Sequence, residues 1–272
     1  MIDPVTGEYA VDGLSWTERL SVSVGYSATK SDEVYRGSEK VTNAMGMETE
    51  FEQWALSVQY IQSHRHRWNL TLPHIQVEQR SNVGVLSKAS GIGDTMLTHI
   101  WQPWDGEPWG LLIGLEFPTG EELDAPAGGV VPASLIQLGS GTWDPILGVL
   151  WSGSIADAWS HSARVVGVFP TGQSDAELNP GNLLQVYYNL SWQAHSDVSL
   201  SMGLEGVHRT EDWLQSSQLI DTGSTVYALR PGAHFALQDW SIFAGARLPI
   251  SYDVNDTQMV PGPYFEVWMG TQ

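Results

Sequence analysis

Asp94, Glu116, Asp144, Arg164, Glu205, Arg230 and Arg247, together with Gln185, Asn189 and His234, occupy the polar alternate positions of segments in which every second residue is apolar. If those segments are strands, these side chains share one face, because successive side chains of a strand point to opposite sides. Acids and bases are mixed in the set. Such a group can pair internally into a plug that satisfies a polar interior, or it can line a narrow polar path and bind a solute in passage. Both readings stand at the level of sequence.

Other chemistry is weaker. His64-Arg65-His66 sets two imidazoles two apart beside a short turn, but no carboxylate accompanies them, so a solvated turn is expected rather than a metal site. His161 and Ser162 are adjacent, hence on opposite faces of a strand and out of reach as a Ser-His pair. His99 and His161 fall on the apolar face near tryptophans and are expected at an interface. The chain has no G-x-S-x-G, Walker or dinucleotide fingerprint. No catalytic residue, metal or cofactor is therefore expected, and the protein is not expected to be an enzyme.

The elements that must position the polar set are strands. Residues 91–120, GIGDTMLTHIWQPWDGEPWGLLIGLEFPTG, form a complete hairpin: Thr95, Leu97, His99 and Trp101 alternate with Asp94, Met96 and Thr98, and after a Pro, Asp and Gly turn Trp109, Leu111, Ile113, Leu115 and Phe117 alternate with Gly110, Leu112, Gly114 and Glu116. A period of two is the mark of strands. Trp and Phe at the two ends of the second strand suit a crossing of about 9 to 11 residues between two membrane interfaces.

The same alternation recurs along the chain. It is read at residues 17–27, 53–60 and 68–72, then at 143–151, 159–169, 184–192, 198–204, 227–235, 240–248 and 264–270. After Pro73 the apolar parity switches to Ile75 and Val77, which suggests a bulge or strand end. With the hairpin this makes about twelve strands, an even number as in bacterial single-chain barrels. Short connections near 62–66, 102–108, 153–158, 194–197 and 238–239 alternate with long ones near 28–49, 80–91, 121–140, 172–182, 210–223 and 253–262. That is the asymmetry of short periplasmic turns and long extracellular loops. FPTG occurs at Phe117 to Gly120 and again at Phe169 to Gly172, as ordinary turn chemistry at a strand exit.

Composition agrees. Charged residues are 16% of the chain, against about 25% in a typical soluble domain. Tryptophan occurs 13 times. Trp68, Trp101, Trp109, Trp151, Trp159, Trp192 and Trp240 lie close to short turns, as a membrane-interface belt would. No apolar run is long enough for a spanning helix, whereas a barrel escapes that test because its two faces alternate. A net charge of −19, with acids grouped in loops such as Glu121-Glu122-Leu123-Asp124, argues against nucleic acid. It suits a solvated surface or contact with divalent cations and lipopolysaccharide. The chain has no cysteine. Met1-Ile2-Asp3-Pro4 does not read as a cleavable signal, so the numbering is expected to begin at a mature or engineered start. Residues 1–14 are expected to be a flexible N-terminal segment of a single domain spanning 1–272.

The order GIGDTMLTHIW, LEFPTG, QLGSGTWDP (Gln137 to Pro145), ALRPGAHFAL and FAGARLPISYDVNDTQ resembles the outer-membrane proteins grouped as "MetA-pathway of phenol degradation", over most of the chain from about residue 15. The resemblance implies a transport barrel in the outer membrane for small hydrophobic molecules, aromatic ones among them. One departure is the ending Met269-Gly270-Thr271-Gln272, where such barrels usually finish on an aromatic residue; a trimmed or tagged end, or an unusual assembly signal, would account for it. The leading expectation is an all-β, closed antiparallel transmembrane barrel that passes small solutes passively. The alternatives are a non-conducting barrel that anchors or sheathes a partner protein, and an outer-membrane lipid hydrolase. Membrane lipid and lipopolysaccharide, a small-molecule solute, and a protein partner or second copy are the partners these readings imply.

Overall fold

The computed structural model describes residues 19–104, 107–121, 137–175 and 177–271, and every regular element among them is a strand. In chain order they are β1 (Leu20–Ser31), β2 (Val34–Gly37), β3 (Glu39–Val41), β4 (Glu48–Ser63), β5 (His66–Ser81), β6 (Gly84–Ile92), β7 (Thr95–Trp101), β8 (Trp109–Phe117) and β9 (Asp144–Ala156). There follow β10 (Trp159–Val168), β11 (Leu178–Asn179), β12 (Leu183–His195), β13 (Val198–Arg209), β14 (Trp213–Leu214), β15 (Ser217–Gln218), β16 (Ser224–Leu237), β17 (Trp240–Met259) and β18 (Tyr264–Thr271).

The wall runs β1-β4-β5-β7-β8-β9-β10-β12-β13-β16-β17-β18 and closes where β18 pairs antiparallel with β1, from Ser23↔Gly270 to Thr29↔Tyr264. That is a closed twelve-stranded antiparallel barrel. β6 and β7 act as one wall strand interrupted at Gly93-Asp94, both pairing β5. Closure matters in lipid, where an unpaired strand edge would leave backbone groups without partners.

The outer face is apolar: Leu20, Val22 and Val24 of β1, Ile113 of β8, Leu147 and Val149 of β9, and Phe265, Val267 and Met269 of β18 are all exposed. Their alternate neighbours turn inward, and many are small or polar, such as Ser27, Ser57, Asn69, Thr71 and Thr98, which are buried. An apolar exterior around a polar interior is the inverse of a soluble core and is what lipid as solvent demands.

Three expectations need correction. β5 passes through Pro73 without a register shift against β4, pairing Ala55↔Pro73 and then Gln53↔Ile75. The parity does not change; the environment does. Ile75 and Val77 still face inward, where an apolar cluster with Ala89 and Leu138 receives them, while His74, Gln76 and Glu78 face out above the apolar band. The long loop expected at 80–91 is a tight turn at Asn82-Val83 leading straight into β6. The long connections also carry structure: β2 and β3 form a hairpin added to the extended end of β17, and β11, β14 and β15 form a separate small sheet. Residues 1–14, and 122–124 of the acidic loop, lie outside the described residues.

Candidate functional site

Register puts the central charged residues in neighbouring rows. Arg164 of β10 stands opposite Tyr187 of β12, and Tyr187 stands opposite Glu205 of β13. Tyr187 lies flat over Gly203, where an added Cβ would be 2.5 Å from its ring. The Arg164 guanidinium sits 4.7 Å from the Tyr187 ring centroid and that of Arg230 5.5 Å.

Glu205 is the hub. Its carboxylate accepts hydrogen bonds from Arg247 Nε and from Gln185 Nε2, the latter at 2.6 Å, and Arg230 Nη1 lies 3.5 Å away. Arg230 also donates to Glu266 of β18. All four ionised groups are buried. Buried charges persist only when paired and hydrogen-bonded, and this network ties together the five neighbouring strands β12, β13, β16, β17 and β18. Asn189 joins a lower chain, accepting from Tyr187 Oη at 3.2 Å and donating to Ser191 Oγ at 2.8 Å.

Below the network the lumen is hollow. A cavity of about 680 Å³ runs from residues at the short-turn mouth, among them Ser21, Gln193 and Thr271, up to Arg164, Arg230 and Glu266. Serine hydroxyls dominate its wall, and His234 and Asn189 border it. Rings interrupt the hydroxyls. Trp268, 5% exposed, packs against Gly25 and Ala55, and Phe243 packs beside it over Gly232 and Gly245.

Above the network, at the long-loop end, Asp94, Glu116 and Asp144 come together. Glu116 and Asp144 are directly opposed in the β8–β9 ladder. Asp144 accepts from Thr142 Oγ1 at 2.5 Å. Asp94, between β6 and β7, accepts a backbone N–H from Gly120 at 2.8 Å and another from Ser140. The two PTG turns do parallel work: Thr119 Oγ1 bonds the Gly93 carbonyl at 3.0 Å, and Thr171 N–H bonds the Trp143 carbonyl at 3.1 Å.

The ten residues read from sequence therefore fall into three groups rather than one: the acidic trio at the long-loop end, the network of Arg164, Gln185, Glu205, Arg230 and Arg247, and the chamber with Asn189 and His234. The reading missed Glu266, Tyr187 and Trp268. A signal existed for each: Tyr264, Glu266, Trp268 and Gly270 share the inward parity of β18 while Phe265, Val267 and Met269 face out, and Tyr187 shares the inward parity of Gln185 and Asn189 on β12.

On the outer face the belt tryptophans meet across strands. Trp109 opposes Trp151, and Trp159 opposes Trp192, with ring centroids 6.1 Å apart in both pairs. Two histidines join them: His66 Nδ1 lies 3.0 Å from His99 Nε2, and His99 stacks on Trp68 at 4.2 Å. His66 is thus part of the outer aromatic surface rather than of a solvated turn. His161 packs edge-on against Trp151 at 4.2 Å.

A family model described as "Putative MetA-pathway of phenol degradation" matches residues 32–259. No curated protein matches in sequence. Among solved structures, the COG4313 outer membrane channel from Pseudomonas putida F1 superposes with a TM-score of 0.78 at 15% identity, covering 100% of this chain and 99% of that one. The beta domain of the Bordetella autotransporter BrkA gives 0.55 at 11% identity, with 92% and 98% covered. The TodX deltaS2S3 mutant, a monoaromatic hydrocarbon channel, gives 0.54 at 8% identity, with 93% and 89% covered. The shared feature is the fold, that of a bacterial outer-membrane barrel.

Proposed function

As this chain belongs to the MetA-pathway of phenol degradation family, we propose that it is an outer-membrane channel through which small solutes pass by diffusion, aromatic and apolar molecules among them. The observation that carries this reading is the chamber. A twelve-stranded barrel could fill its interior with side chains, yet this one keeps a cavity of about 680 Å³, within the range of small-molecule sites. The partly buried Phe243 ring, backed by Trp268, offers an apolar surface on its wall to a planar solute, and the hydroxyls around it hold water or polar substituents. The TodX variant, which shares the fold at low identity, is a monoaromatic hydrocarbon channel. That likeness supports aromatic molecules as the solute class.

In this reading Arg164, Glu205, Arg230 and Arg247 form the constriction above the chamber, and Asp94, Glu116 and Asp144 line the far entrance. The outer apolar band contacts lipid, and the acidic loops meet lipopolysaccharide through divalent cations. The work is passage, with no bond made or broken. One observation favours the second reading, a non-conducting barrel that holds a partner: charged side chains and a loop stem fill the lumen above the chamber. Planar-bilayer recording and liposome swelling with phenol-sized solutes separate the two. Discrete conductance and swelling support the channel, and a refolded barrel that gives neither, in the wild type and in Asp94→Asn alike, overturns it.

A further inference from the structure

We propose that Asp94 is a latch and Leu138 a stopper: the carboxylate holds both stems of the loop between β8 and β9 inside the barrel mouth, and solute passes only when those stems are released. The proposal rests on the channel reading for its consequence, though not for its geometry. A carboxylate is an acceptor with two oxygens, and each oxygen of Asp94 takes one backbone N–H, Gly120 from the incoming stem and Ser140 from the outgoing stem. The stems touch each other there. A Cβ on Gly120 would lie 2.7 Å from Gly139 Cα, and a Cβ on Gly139 would lie 2.4 Å from Asp94 Oδ1. On Gly93 a Cβ would meet the Leu138 carbonyl at 3.0 Å. Each glycine thus marks a point where two pieces of backbone, or backbone and carboxylate, must approach without a side chain between them.

What the latch holds in place is Leu138. It is 3% exposed, buried against the inward faces of Val77 of β5 and Ala89 of β6, with Phe51 and Ile75 around it. Val77, Ala89 and Ile75 are inward-facing positions of the β5–β6 hairpin, which rises beyond the β5–β7 ladder, so a loop leucine packs on the inner wall of the barrel mouth. The incoming stem is also held by Thr119, whose hydroxyl donates to the Gly93 carbonyl at 3.0 Å and accepts the Thr95 N–H at 2.8 Å, but the Asp94 carboxylate grips both stems at once, and contacts of this kind can open locally while the wall stays paired.

The chain has no cysteine, so introduced thiols are unique. Ala89→Cys sits under Leu138 and should react slowly with a membrane-impermeant maleimide added outside cells or to proteoliposomes. Adding Asp94→Asn, which keeps the shape but loses an acceptor oxygen, should raise the labelling rate about tenfold or more, as expected for loss of a charge-assisted bond that closes a local opening. An unchanged rate in a protein with normal heat-modifiable mobility overturns the latch. If labelling rises but no variant conducts, the latch stands and the channel reading falls. Should Asp94→Asn fail to fold, Val77→Cys with Leu138→Cys joined by a reducible bis-maleimide decides: joined protein must carry less current than the same sample after reduction, and equal currents overturn the proposal.

Discussion

Arg230 and Glu266 reach each other over an intervening strand. Arg230 stands on β16 and Glu266 on β18, while Arg247, on β17 between them, turns to Glu205 instead. The interaction ties the closing strand to the body of the wall through the lumen, independently of the backbone ladder. Glu266→Gln should destabilise the barrel by about 3 kcal/mol, because it leaves a buried guanidinium with less compensation. Adding Arg230→Met should restore part of that loss. Urea unfolding followed by gel mobility reads both, and simple additivity of the two changes would show that they do not interact.

Gly25 is predicted to be intolerant of any side chain. Its missing Cβ leaves the space that the Trp268 ring occupies, at 2.5 Å. Gly25→Ala should cost about 1 to 3 kcal/mol through overpacking. Trp268 emission should shift as the ring is pushed into the chamber, an outcome checked against a Trp268→Phe control.

The outer face makes its own prediction. Ile113 is 52% exposed in the middle of the apolar band, and Val83 is 89% exposed at the tip of the β5–β6 turn. Ile113→Arg should destabilise by about 2 to 4 kcal/mol and Val83→Arg by close to nothing, since cost depends on depth in the bilayer. Equal costs would show that the band is not where lipid lies. At the neighbouring Gly114 a side chain would instead crowd Thr98, 2.8 Å from its Cβ position.

Single-tryptophan variants retaining Trp101, Trp109, Trp151, Trp159, Trp192 or Trp240 should be quenched by lipids brominated near the headgroup and spared by those brominated near the bilayer centre. Trp268 should differ from all six, since it faces the lumen. Deep quenching at two or more belt positions would mean that the strands cross at other heights.

The protein should fractionate with outer membranes and run at different gel positions before and after boiling. A monomer soluble without detergent would contradict the lipid-facing assignment of Leu147, Val149 and Val165.

The outer wall was legible because lipid imposes one rule on every strand, so alternation at Leu184-Val186-Tyr188 or Leu200-Met202-Leu204 reads directly as lipid-facing. The interior obeys no such rule. Glu205, Arg230 and Arg247 could be assigned inward by parity, but their grouping depends on which strands are neighbours and on the pairing of β17 with β18, which no period encodes. Ile75 and Val77 break the outward rule for a related reason: at that height the inner face of the wall is apolar because Leu138 of a loop packs on it. A loop inserting a single leucine leaves no repeating trace. The G-x-G-D, PTG and GSGT segments were visible as motifs, yet their meeting at Asp94 joins residues up to 46 positions apart.

The seam between β1 and β18 sets how this chain can acquire its shape. Thr29 and Tyr264 are partners across it, so the barrel cannot close until nearly the whole sequence is present. Contacts at that sequence separation are reached late and slowly, because the intervening chain must first give up its freedom. Until β18 arrives, β1 and β17 offer open edges to any passing strand. Fast shielding by an assembly factor or by the bilayer itself is therefore as much a requirement of this topology as the ladder that finally seals it.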